Sequence, residues 1–126
     1  MDELYKKVAM IYNVTILLII LAFIFVSAFI DYEHLKDNDF IESHVSRAVL
    51  RALVFILISI HDFKLGVASA LLFAALFDQT LNFLMKVDFF YLGSTAKWDV
   101  FFKERMFWYI MLKATCLILG LTLIFI

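Results

Sequence analysis

Between Lys7 and Asp31 the chain runs for 23 residues, "VAMIYNVTILLIILAFIFVSAFI", without a charge. As an α-helix rising 1.5 Å per residue it extends about 34 Å, enough to cross a hydrocarbon layer of roughly 30 Å. A secretory leader is the competing reading, with "VSA" at residues 26–28 as a tolerable cleavage site, but the apolar run is too long for one. The run is therefore read as a first span.

The same argument extends along the chain. "MFWYIMLKATCLILGLTLIFI", residues 106–126, is interrupted only by Lys113 and is also long enough to span. Between these lie two shorter runs of 13 residues, "AVLRALVFILISI" and "LGVASALLFAALF", each too short to cross alone. Asp39 followed by Glu42 resembles a capping box, which starts a helix near Phe40 and carries it to about Ile60. "HDFK" at 61–64 is then a tight polar turn, and a further helix runs from about Leu65 to Val87.

The expectation is all-α: an integral membrane four-helix bundle forming one transmembrane domain over 1–126, with spans at about 8–30, 40–60, 65–87 and 106–126. Gly93 ends the aromatic "FFYLG", Ser94 or Thr95 caps the next helix, and Trp98, Phe101 and Phe102 recur at helical spacing opposite Lys97, Lys103 and Glu104. That pattern predicts a short interfacial amphipathic segment before the last span.

Composition agrees: 65% of residues are hydrophobic and 18% charged, where a soluble domain carries about a quarter charged. A net charge of −1 supplies no basic field, so nucleic-acid binding is not expected. The single Cys116 excludes disulfide frameworks and cysteine metal sites. Six basic residues in the 31–47 and 86–105 connections, against three on the other side, favour a cytoplasmic position for those two connections.

Charges within the spans are the candidate site. His44, Arg47 and Arg51 share one helix face by their spacing, as do Asp78 and Asn82. If the hairpin turns around Asp62 and Phe63, Arg47 lies level with Asp78 and His44 with Asn82. An unpaired charge in the bilayer centre costs roughly 2.5–3.5 kcal/mol, so the register predicts that Arg47, Arg51 or both pair with Asp78, completed by His44 and Asn82. Lys113 snorkels or joins them. Such a cluster admits a structural reading, fixing helix register, and a functional one, a polar pocket.

Other polar groups carry less. Asp31, Glu33, His34, Asp37, Asp39, Glu42 and His44 crowd one connection, but no calcium-loop or H-E-x-x-H spacing occurs, so a solvated acidic loop is expected and neither metal nor cofactor. No nucleophile motif is present.

The blocks "FDQTLN" and "YLGSTAKWD", within residues 77–102, with "SHVSRAVLRA" as a looser second block, resemble a pattern in small multi-spanning membrane proteins such as those encoded by tailed phages of Bacteroidetes-type bacteria. That family has no established activity, so the resemblance transfers no catalytic role. It implies that Asp78, Asn82, Tyr91, Gly93, Thr95 and Asp99 form one unit, with Asp99 as a second counter-ion, and a bacterial inner membrane is the expected location.

Three functions are expected on these grounds. The first is binding of an anionic headgroup or small anionic ligand by Arg47, Arg51 and Asn82. The second is a lipid-modifying enzyme using His44 with Asp78 or Asp99 as acid-base pair. The third is a holin-like permeabilising protein or an accessory subunit, with a homo-oligomer or larger membrane assembly as partner alongside the lipid bilayer.

Overall fold

The computed structural model describes the backbone of residues 1–36, 40–92 and 97–126, with their side chains apart from those of 40–45 and 97–99. Five helices succeed one another: α1 Asp2–Lys36, α2 Phe40–His61, α3 Phe63–Leu84, α4 Lys97–Lys103 and α5 Met106–Phe125. Among the described residues there is no strand.

Helix α1 outruns its apolar stretch at both ends. Asp2 and Glu3 occupy its first turn and His34 and Lys36 its last. Acids at the start and bases at the end complement the helix dipole, so the charges bounding the apolar run prolong the helix. Asp31, expected in a solvated loop, is consequently helical.

A single residue, Asp62, separates α2 from α3. It leaves the helical region at φ −146° and ψ 101°, and its side chain accepts a hydrogen bond from the Leu65 N–H at 3.2 Å. This N-cap lets the chain reverse at once. Just above the turn the helices meet at Gly66, where an added Cβ would lie 2.6 Å from the Ser59 Cα.

Helix α3 closes earlier than the sequence suggested, at Leu84. The Val87 N–H donates to the Asn82 carbonyl at 3.1 Å and the Lys86 N–H to that of Phe83 at 3.2 Å, with Lys86 at φ +58°. These are the paired bonds of a Schellman ending, with lysine at the left-handed position that glycine usually fills.

Helix α3 is central, packing against α1, α2 and α5, whereas α2 and α5 do not meet among the described residues. The core joins Ile20 and Ile24 of α1, Ala68 and Leu72 of α3, and Ile124 of α5. Gly120 lets α5 close on α3: a Cβ there would lie 2.8 Å from Leu72 Cγ.

The outer surface carries many large apolar side chains. Leu18, Leu57, Phe83, Phe107, Trp108 and Ile118 are all more than half exposed. Among the described residues, α1, α3 and α5 are long and apolar enough to cross a membrane. The short α4 precedes α5 as the sequence suggested, with Phe102 packed on Tyr109 at 5.6 Å between ring centroids.

Two backbone positions yield opposite expectations. Gly66→Ala must displace the Ser59 backbone and should destabilise the fold by about 1–3 kcal/mol. Lys86→Gly relieves a left-handed residue and should stabilise it by up to about 1 kcal/mol. Thermal unfolding in detergent, followed by circular dichroism, measures both.

Candidate functional site

Helices α1 and α2 run antiparallel with matched four-residue steps. Phe23 meets Phe55 edge-on at 5.9 Å, the Ser27 carbonyl meets Arg51, and Asp31 meets Arg47. Every fourth residue of a helix returns to nearly the same face, so these steps form one interhelical ladder.

Its polar rungs converge on Asp31, which is fully buried. Arg47 donates through Nε to Oδ1 at 2.6 Å. Arg51 donates through Nη1 to Oδ2 at 3.1 Å and through Nη2 to Oδ1 at 2.7 Å, a forked pair, and Nη2 also donates to the Ser27 carbonyl at 2.9 Å. The planar guanidinium suits such a fork, and the opposite charges with several hydrogen bonds make burial of the carboxylate tolerable.

The third wall comes from α3. Phe73 and Phe77 stack at 4.7 Å, and the Arg51 guanidinium carbon lies 4.8 Å from the Phe77 centroid and 5.8 Å from that of Phe73. Arg51 therefore touches α1, α2 and α3 together, adding cation–π attraction to its ion pair.

The expected pairing of Arg47 and Arg51 with Asp78 is corrected by this geometry. Arg51 does lie against the part of α3 just below Asp78, so the depth was right and the direction wrong. Phe77 occupies the face toward Arg51, and Asp78, one residue on, is turned about 100° away. Its Oδ2 instead accepts from Lys113 Nζ of α5 at 3.0 Å, and Nζ also donates to the Ala74 carbonyl.

Asn82 likewise finds a different partner. Its buried Nδ2 donates to the Phe89 and Tyr91 carbonyls, both at 3.0 Å, and pins the segment after α3 against the bundle. Beside it Gln79 Nε2 donates to the Tyr109 hydroxyl at 3.0 Å. The side chains of His44 and Asp99, the two remaining candidates, lie outside the described residues. Among the described residues no group of three or more His, Cys, Asp or Glu is placed to hold a metal ion.

The ion pairs form a layer. Arg47 stands about 22 Å from the turn at Asp62, at 1.5 Å per residue, and Asp78 at a similar height on α3. One pair sits between α1 and α2 and the other between α3 and α5. Asp31 is the counter-ion that sequence reasoning missed; its signal was the i, i+4, i+8 spacing of Phe23, Ser27 and Asp31, mirrored by Arg47, Arg51 and Phe55.

A groove descends from the arginines. A cavity of about 180 Å³ is lined by Ser27, Ile30, Arg47, Leu50 and Arg51 toward one end and by Phe23 and Val54 toward the other. A second, of about 220 Å³, shares Phe23 and Val54 and continues past Ile19, Phe55 and Ile58. Both are apolar, and the first includes the Arg47 and Arg51 side chains in its lining. A larger cavity of about 430 Å³ lies under residues 88–92, but its charged lining, Asp88 and Lys103, carries one charge of each sign.

No family model, curated protein or solved structure matches this chain.

Removing one partner of a buried ion cluster costs more than replacing it entirely by apolar groups. Asp31→Asn should destabilise the protein by about 3–5 kcal/mol, and the triple variant Asp31→Leu, Arg47→Leu, Arg51→Met by clearly less. At Asn82, Asp should be worse than Ala, because a carboxylate would face two carbonyl oxygens. Denaturation midpoints rank the first set; proteolysis within 85–92 ranks the second.

Proposed function

We propose that the chain is a small integral membrane protein of four spans that holds an anionic lipid in the groove between α1 and α2. Three helices long and apolar enough to cross a membrane support the setting, as does a surface rich in large apolar side chains. Helix α2, with its arginines turned onto Asp31, supplies the fourth span.

The observation that carries the lipid reading is the placement of two arginines in the lining of an otherwise apolar groove. Arg47 and Arg51 line its head, and the walls below are Phe23, Val54, Phe55 and Ile58. A phosphate or carboxylate headgroup answers guanidinium groups, and an acyl chain answers the apolar remainder. The head lies toward the end of the bundle that carries Lys36, Lys86, Lys103 and Arg105, the basic side that favours a cytoplasmic, anionic leaflet. In this reading Arg51 and Asp31 pre-orient each other at the head of the groove.

The test is retention of lipid by protein purified in mild detergent from mixed vesicles of phosphatidylglycerol and phosphatidylcholine. Wild type should retain phosphatidylglycerol in preference. Val54→Trp fills the groove without touching the ion cluster and should lower that retention about ten-fold, an effect of about 1.4 kcal/mol, at unchanged melting temperature. Equal retention of both lipids by wild type, or full retention by the variant, would contradict the reading.

A further inference from the structure

The outer face of α3 points away from α1 and lies open between α2 and α5, which do not meet among the described residues. Along it Ala70, Ala74 and Asp78 recur every four residues. The Asp78 side chain is 53% exposed even though Lys113 reaches it, while the Lys113 side chain is only 14% exposed. Asp78 also lies six residues inside the end of α3, about 9 Å below it. In the membrane setting proposed above, on which this inference rests, a half-exposed carboxylate at that depth would face hydrocarbon at considerable cost.

We infer that a second copy of the chain, inserted in the same orientation, covers this face. The argument is charge complementarity. Each copy presents a half-exposed carboxylate backed by a mostly covered ammonium at a single depth, and a two-fold axis along the membrane normal keeps that depth for both copies. Asp78 of each protomer is then reached by its own Lys113 and by the partner's Lys113, in a closed ring of two negative and two positive charges. A lipid would leave the carboxylate against methylene groups, and a partner presenting only one sign would leave the ring unbalanced. Ala70 and Ala74 do not specify the partner; they permit the helix axes to approach closely enough for the ring to close.

The test uses single-cysteine variants in a Cys116→Ser background, oxidised in native membranes after an alkaline wash that retains only integral proteins. Ala74→Cys should form a disulfide-linked dimer, while Leu18→Cys, exposed on α1 on the far side of α3, should not. Adding Asp78→Asn should slow dimer formation about ten-fold, and the exchange Asp78→Lys with Lys113→Asp should restore it. If the washed, membrane-retained protein crosslinks through Ala74→Cys no faster than through Leu18→Cys, or if Asp78→Asn changes nothing, the inference is overturned. Release of the chain into the alkaline supernatant would instead overturn the membrane reading and remove the ground of this inference with it.

Discussion

The fold depends on where the Arg51 guanidinium lies. It is forked onto Asp31 of α1, hydrogen-bonded to the Ser27 carbonyl and set against the Phe73 and Phe77 rings of α3. One side chain thereby satisfies a buried carboxylate and fixes the register of three helices. In a bundle with so many large apolar side chains on its surface, hydrophobicity does little to distinguish inside from outside. Directional polar contacts have to supply that distinction.

The other polar contacts divide the work. Lys113 and Asp78 tie α5 to α3 at nearly the same height, and Gln79 with Tyr109 adds a neutral contact beside them. Asn82 closes the end of α3 by holding the Phe89 and Tyr91 carbonyls. At the opposite end, the cap at Asp62 and the close approach at Gly66 set the hairpin. Between the two ends, packing on either side of α3 rests on Ile24, Leu72, Gly120 and Ile124, with no polar anchor needed. The lipid and dimer proposals both draw on the polar layer but on opposite sides of α3, so one can fail without the other.

Much of this was legible in the chain. The helices, the turn within 61–64 and the short segment before the last helix could be read from the lengths and spacing of the apolar runs, whereas the caps expected from Asp39 with Glu42 and from Ser94 or Thr95 lie outside the described residues. The common depth of Arg47 and Asp78 came from counting outward from the turn. Direction around the helix did not. A hydropathy reading ends α1 at Ile30 because a charge comes next, yet the backbone continues through six more residues, and that placed Asp31 in a loop instead of the core. With Asp31 removed, Asp78 was the acid on another span that lay level with the arginines. Asn82 was hidden for another reason: its partners are backbone carbonyls, and no residue type announces them.

The claim that Asp31, not Asp78, is the counter-ion of Arg51 is tested most directly by two double-mutant cycles measured by reversible unfolding in detergent. One pairs Asp31→Asn with Arg51→Gln, the other Asp78→Asn with Arg51→Gln. The account predicts a coupling of about 2 kcal/mol or more in the first cycle and additivity within about 0.5 kcal/mol in the second. Coupling confined to the Asp78 cycle would contradict it.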